Sequence, residues 1–304
     1  GTSGPGLDLK AETLGLANIM ELPMVIVDVM RAGPSTGMPT KTEQSDLLVA
    51  MFGRHGDSPM PVVAPRSPSH CFDAALEACR IAVRYRTPVM LLSDTFLGNS
   101  SEPWRIPEVA DLPTMDPAFA TGPNAGQEFM PYLRDAHLAR PWAVPGTPGL
   151  RHRIGGLEKE DGSGDISYDP ANHERMTRLR AAKVEGIADD IPPLEVDDPD
   201  GDARTLVIGW GSTFGVIRAG ARRVRESGGK VATAHLVHLN PFPRNTGEVL
   251  ARYDRVLVPE LNAGQLAMLL RARYLVDARS YSKVQGQPIF AEEMEAAIRE
   301  VMSS

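Results

Sequence analysis

Apolar positions in the first hundred residues switch between two periods. Leu7, Ala11, Leu14 and Ala17 recur at helical spacing, behind Gly4-Pro5-Gly6 and ahead of Pro23. Val25-Ile26-Val27-Asp28-Val29 then reads as a buried strand, and a loop rich in Gly, Pro and Ser follows it. A helix is expected over about 43–52. Ser67 reads as an N-cap with Pro68 at the first helical position. The helix it opens should bury Phe72, Ala75, Leu76, Cys79 and Val83, and it gathers Arg80, Arg84 and Arg86 near its negative end. Residues 87–93 form a second buried strand that ends at Asp94. Strands alternating with helices of this length predict an α/β domain on a parallel sheet.

Periodicity then lapses. Residues 103–148 hold nine prolines, and so long a structureless stretch is unusual inside a compact domain. It is expected to be a surface arm or a partner-binding loop. A helix carrying Met176, Leu179, Ala182 and Lys183 comes next, and the acidic run 195–202 reads as a linker. Strands near 205–209, 231–237 and 255–259 and helices near 213–226, 264–274 and 292–301 make a second α/β unit. Gly228-Gly229 stops the first of those helices. The expected division is 1–150, 151–202 and 203–304, without a solenoid repeat.

Composition narrows the function classes. The 304 residues carry 32 basic against 39 acidic side chains, a net charge of −7, which disfavours a nucleic-acid reader. No apolar run approaches the roughly 18 residues of a membrane span, and no secretory signal is visible, so a cytoplasmic protein is expected. Cys71 and Cys79 lie eight apart on one expected helix, about two turns from each other. They read as small buried side chains, and two thiols cannot supply the four that an iron–sulfur cluster normally needs. The chain opens on a Gly-Thr-Ser-Gly-Pro-Gly turn of the kind that follows a strand. An N-terminal part of the domain is therefore expected outside this chain.

Three motifs hold candidate chemistry. Gly209-Trp210-Gly211-Ser212-Thr213-Phe214-Gly215 resembles a dinucleotide fingerprint, but its spacing is GxGxxxG and no acidic residue ends the next strand; a tight turn packing helix on sheet accounts for it better. His235 and His238 lack a third ligand and read as structural or interface residues. HExxH does not occur. The informative segment is Arg31-Ala32-Gly33-Pro34-Ser35-Thr36-Gly37-Met38-Pro39-Thr40-Lys41-Thr42-Glu43-Gln44, beyond a strand's carboxyl end, where open α/β sheets place ligands. Arg31 offers a planar fork for a carboxylate, and the glycines allow close approach of backbone to ligand. The bland readings are a capping box at Thr40-Lys41-Thr42-Glu43 and a surface salt bridge for Arg31.

Thr2-Ser3-Gly4-Pro5-Gly6-Leu7, the Arg31–Thr40 segment and Gly53-Arg54-His55-Gly56-Asp57 together resemble the α subunit of 2-oxoacid:ferredoxin oxidoreductases. So do Thr87-Pro88-Val89, Ser93-Asp94, His238-Leu239-Asn240-Pro241-Phe242-Pro243 and Pro259-Glu260-Leu261-Asn262-Ala263-Gly264-Gln265-Leu266. The resemblance covers nearly the whole chain, and the RxGPSTGxPT form looks most like the 2-oxoglutarate enzymes. It implies a pyrimidine-type thiamine-diphosphate domain, incomplete at its N-terminus, followed by a transketolase C-terminal-like domain. It also implies oxidative decarboxylation of 2-oxoglutarate to succinyl-CoA, with CoA as co-substrate and electrons passed to ferredoxin. A partner β subunit would hold the diphosphate, Mg2+ and a [4Fe–4S] cluster in an α2β2 assembly, and the chain would be inactive without it. By the same resemblance Arg31 binds the 1-carboxylate of the substrate and Thr40 lies near its far end. Thr2, Ser3, Gly4, Pro5 and Gly6, with His55, Gly56 and Asp57, would form loops at the cofactor and the active-site mouth. No residue here is assigned a catalytic role.

Two departures stand out. The family's YPITP-type segment and its acidic contact to the aminopyrimidine would lie upstream of residue 1. Glu158-Lys159-Glu160-Asp161 stands where many relatives carry Glu-His-Asp. Rival readings are the same reaction on pyruvate or branched-chain acids, the β chain of a lipoamide-linked dehydrogenase, a non-catalytic interaction subunit and a nicotinamide-binding enzyme.

Overall fold

The structure is a computed structural model describing residues 1–304. Strands β1 (Met24–Met30), β2 (Val62–Val63), β3 (Pro88–Asp94), β4 (Val196–Asp197), β5 (Thr205–Trp210), β6 (Ala232–Leu236), β7 (His238–Asn240), β8 (Arg255–Glu260) and β9 (Ala278–Ser282) form two sheets. Their orders are β1-β3-β2-β7 and β4-β6-β5-β8-β9. The helices are α1 (Gly4–Asp8), α2 (Ala11–Met20), α3 (Leu47–Phe52), α4 (His70–Tyr85), α5 (Thr95–Asn99), α6 (Pro170–Gly186), α7 (Phe214–Glu226), α8 (Thr246–Ala251), α9 (Gln265–Tyr274) and α10 (Ala291–Ser303).

The long apolar runs become parallel strands, buried and central for β3 and β5. By contrast, β1 is the edge of its sheet and is half-buried over its first four residues rather than buried. β1 pairs with β3 from Met24↔Pro88 to Met30↔Asp94, and β5 lies between β6 and β8. Antiparallel strands finish an edge of each sheet: β7 on β2 and β4 on β6. The strand expected over 231–237 is β6 of the second sheet, and beyond it a strand that was not expected, β7, crosses to the first. The Val237 carbonyl at the crossing accepts from the Ala64 N–H (2.8 Å). The acidic stretch 195–202 is not a plain linker either, because it contributes β4.

Alternation along β1 divides its side chains between two cores. Val25 and Val27 pack on the cluster of Ala74, Ala78, Ile81 and Tyr85 under α4, whereas Ile26 and Met30 join the central core with Leu7, Leu14, Leu47 and Trp210. The buried face of α4 differs from the expected one. Ala74, Ala78, Ile81, Ala82 and Tyr85 are buried, while Phe72, Ala75, Leu76, Cys79 and Val83 are half-buried. Small alanines let the helix approach the sheet closely, and Phe72 turns toward Trp104 of the proline-rich segment (ring centroids 5.2 Å apart). Both cysteines are free and half-buried rather than buried. Ser67 accepts from the His70 N–H (3.4 Å), as a cap does, although the regular helix opens only at His70.

Residues 103–148 contain one 3-10 turn, Val109–Asp111, and isolated bridges such as Phe119↔Trp142. This arm is clamped to the body. Glu21, fully buried at the left-handed end of α2, accepts from both terminal nitrogens of Arg134 (2.5 Å each) and from Lys183 Nζ of α6 (2.5 Å). Arg140 donates from Nε to the Met20 carbonyl (3.0 Å). No helix is long and apolar enough to cross a membrane.

Candidate active site

Arg31 leaves the carboxyl end of β1 and opens a compact loop. The Ala32 N–H donates to the Lys41 carbonyl (2.9 Å), the Met38 N–H to the Ala32 carbonyl (2.9 Å) and the Lys41 N–H to the Met38 carbonyl (3.1 Å). These bonds fold 32–41 into an irregular hairpin with Gly33–Thr40 exposed. Gly37 is required at its bend: φ is +57°, and a Cβ there would lie 1.8 Å from the Ala32 carbonyl oxygen. Thr40 stands in a turn at φ +64° rather than capping a helix. α3 begins at Leu47, four residues beyond the end of the expected capping box, because the chain from 41 to 46 is drawn across to the second sheet.

Arg31 forms no ion pair, so the surface salt bridge is not made. Its Nε is buried without a hydrogen-bond partner, and the side chain is half-buried. A half-buried cationic fork that lacks a protein partner at a strand's carboxyl end is able to receive a carboxylate.

Gln44 anchors this loop. Its Nε2 donates to the Trp210 carbonyl at the end of β5 (2.8 Å), and its Oε1 accepts from the Leu261 N–H beyond β8 (3.0 Å). Its own N–H donates to the Leu261 carbonyl (2.9 Å), and its carbonyl accepts from Asn262 Nδ2 (2.8 Å). Gln265 adds two bonds, accepting from the Leu48 N–H (3.0 Å) and donating to the Ser45 carbonyl (2.7 Å). Buried Glu260 secures the anchoring turn by accepting from Trp210 Nε1, Asn262 Nδ2 and the Leu266 and Ala267 N–H groups. Burial nevertheless pushes its carboxyl upward. The carboxyl ends of β1, β5 and β8 thus converge on one segment. Sequence reading found the Glu260–Gln265 run through the resemblance, but it did not show that the run holds the Arg31 loop.

The turn at the start of the chain lies against the exit of the same loop. Thr2 bridges β1, its N–H donating to the Val27 carbonyl (2.8 Å) while its carbonyl accepts from the Val29 N–H (2.9 Å). Ser3 precedes α1, and Pro5 lies in its first turn. A Cβ on Gly4 would meet Asp46 Oδ2 at 2.8 Å, and one on Gly6 would meet Thr2 Oγ1 at 1.9 Å. Thr2, Ser3, Gly4, Pro5 and Gly6 therefore share one neighbourhood with Arg31 and Asp46. His55, Gly56 and Asp57 do not join them. They are exposed at the far end of α3, where Gly56 and Asp57 line a cavity of about 770 Å3 with Phe52, Arg178 and Arg273. No group of three or more His, Cys, Asp or Glu side chains is placed to hold a metal.

Residues 1–167 match the family described as "Pyruvate flavodoxin/ferredoxin oxidoreductase, thiamine diP-bdg". The chain belongs to this family. It is similar to the 2-oxoglutarate oxidoreductase subunit KorA of Mycobacterium tuberculosis, 59% identical over 303 residues that span 99% of this chain and 46% of that protein. It is also similar to the 2-oxoglutarate synthase subunit KorA of Archaeoglobus fulgidus, 34% identical over 87% of this chain and 68% of that one. Among solved structures, the 2-oxoglutarate:ferredoxin oxidoreductase from Magnetococcus marinus with 2-oxoglutarate, coenzyme A and succinyl-CoA bound superposes with a TM-score of 0.92. The identity is 36%, covering 99% of this chain and 52% of that chain. A transketolase mutant from Pichia stipitis shares the fold alone, with a TM-score of 0.50 and 10% identity over 100% of this chain and 34% of that one. The chain spans about half the length of the Mycobacterium and Magnetococcus proteins.

Proposed function

We propose that this chain belongs to the α subunit of an enzyme that oxidatively decarboxylates 2-oxoglutarate to succinyl-CoA in the cytoplasm and passes the electrons to ferredoxin. The observation that carries the reading is the Arg31 guanidinium, unpaired and with a buried, unpartnered Nε, at the head of a loop fixed by the second sheet. Its substrate class is supported by relatives named for 2-oxoglutarate. The 1-carboxylate takes two parallel hydrogen bonds from Arg31. Thr40, exposed further along the same hairpin, faces the distal end of the acid.

The residues present suit thiamine diphosphate in part. The Gly4-Pro5-Gly6 turn lies close to the Arg31 loop, so the cofactor's pyrimidine end has backbone to approach there. Bound thiamine diphosphate supplies the electron sink for decarboxylation. The diphosphate, Mg2+ and the [4Fe–4S] cluster are assigned to a β subunit in an α2β2 complex. The residues of this chain bind and orient: Arg31 fixes the carboxylate that departs, and Gln44 holds Arg31's loop in register with β5 and β8. The chain divides at about 150 and 203 into the thiamine-type domain with its arm, a helical connection and the transketolase-like domain.

The test is CoA-dependent reduction of ferredoxin or a viologen by the isolated complex, comparing 2-oxoglutarate, pyruvate and 2-oxoisovalerate. Preference for 2-oxoglutarate supports the assignment. Preference for another acid changes the substrate and keeps the reaction. No turnover in a complex that retains cofactor and cluster overturns it.

A further inference from the structure

Asp28 interrupts the apolar run of β1 on the face that packs into the central core. The residue is fully enclosed by atoms of this chain, and neither carboxyl oxygen has a hydrogen-bond partner of ordinary kind. The group close enough for a side-chain hydrogen bond is another acid, Asp46, at the exit of the Arg31–Gln44 loop. Asp46 Oδ2 is also buried without a donor, while Oδ1 lies 3.4 Å from Ser45 Oγ. Two carboxylates facing each other in an apolar enclosure repel, and a carboxylic acid donating to a carboxylate removes both the repulsion and one buried charge.

The surroundings offer no other remedy. Asp8 of α1 adds a third acid, and Glu43 lies further back along the loop. β3 places Leu92 beside Asp28, and α5 contains no titratable side chain. α4 packs on the opposite face against Val25 and Val27. Lys10 and Glu12, at the start of α2, are exposed. Arg31 forms no ion pair with either acid.

We propose that Asp28 and Asp46 share one proton, and that this acid pair is a positioning device joining the Thr2–Gly6 turn and the Arg31–Gln44 loop to β1. The role rests on the reading of that loop as the oxoacid site. Asp28 sits on a hydrogen-bonded strand, whereas Asp46 sits where the loop ends and touches the Gly4 turn. Loss of the proton pushes Asp46 away from the strand, and the turn and the Arg31 loop shift with it. Burial first, and then Asp46 and Asp8, raise the Asp28 carboxyl to about 8. The proton is therefore held at neutral pH and lost on the alkaline side.

The test uses the isolated complex and two readouts. One is the infrared C=O stretch of a protonated carboxylic acid, titrated through about pH 8 in wild type, Asp28→Asn and Asp46→Asn. The other is KM for the oxoacid over the same range. An acid band that disappears near pH 8 and is missing from the variants is expected. KM in wild type should rise by roughly tenfold per pH unit above that midpoint, as a one-proton linkage requires, and this limb should vanish in Asp28→Asn. Asp46→Asn decides the matter if Asp28→Asn does not fold. No titrating band in wild type, or a band that survives in the variants, overturns proton sharing. A titrating band with a KM that does not follow it overturns the positioning role. If no 2-oxoacid is turned over, the proposed function fails while the infrared titration still decides the shared proton.

Discussion

Arg31 carries five donors into a half-buried position and spends none of them on a carboxylate of its own chain. Removing it should therefore cost the fold little and, on the proposed function, take from the oxoacid its anchor. Arg31→Ala should lower kcat/KM for the 2-oxoacid by about 100- to 1000-fold, because a charge-assisted bidentate contact contributes about 3–4 kcal/mol. Arg31→Lys keeps the charge but loses the planar fork, so roughly a tenfold or larger loss is expected, mainly in KM. The melting temperature of both variants should remain within a few degrees of wild type. Near-normal kcat/KM in Arg31→Ala would remove this residue from the site. Arg31 was legible in the sequence because one residue type stood at a predicted strand end before a Gly-rich loop. Asp28 was not, since a single acid inside an apolar run gives no sign that a second acid 18 positions later will face it.

Elements were legible where one period ran long enough, as in β1, β3, β5 and α7, whose bounds follow the apolar runs closely. The expected start of α3 was wrong because local capping chemistry competed with distant hydrogen bonds and lost. Thr40 and Glu43 make a plausible box in isolation. The four bonds of Gln44 and the two of Gln265 hold the intervening chain extended instead. The rotated face of α4 has a similar origin, since helical spacing fixes a stripe but the Trp104 ring decides which side Phe72 takes. The consequence is measurable at Gln44. Gln44→Ala leaves the Leu261 N–H without its side-chain acceptor in a buried setting, whereas the Trp210 carbonyl keeps the Thr213 hydroxyl (2.7 Å), a cost of about 1–3 kcal/mol. Chemical denaturation should show that loss, accompanied by a raised KM because the Arg31 hairpin loses its fixed end. A variant as stable as wild type would mean that the loop is held elsewhere.

At the scale of the molecule, the proline-rich arm poses a problem that composition could not solve, because it buries little and has no period. The buried part of its attachment centres on an ionic cluster. Burial alone would raise the Glu21 carboxyl, but Lys183 and Arg134 outweigh it and hold it at about 2. Burial at the same time draws Lys183 down to about 8 in spite of Glu21, so the pair does not fully offset the desolvation of its cation. The network is therefore better understood as fixing where the arm docks than as a source of net stability. Glu21→Gln strands two buried cations and should destabilise the protein by about 3–5 kcal/mol. It should also release residues 103–148 to limited proteolysis at neutral pH. Wild type should resist until acid protonates the same carboxyl. A group whose folded pKa lies below its ordinary value near 4.5 contributes stability above that value and loses it as pH falls toward 2. Cleavage within the arm should accordingly begin only as pH drops through that window, in an acid-active protease such as pepsin. In Glu21→Gln the cleavage should be independent of pH there. Equal resistance of the two proteins at neutral pH would mean that the contacts of Trp104 with Phe72 and of the Trp142 ring with the Arg86 guanidinium (5.2 Å), rather than Glu21, keep the arm in place.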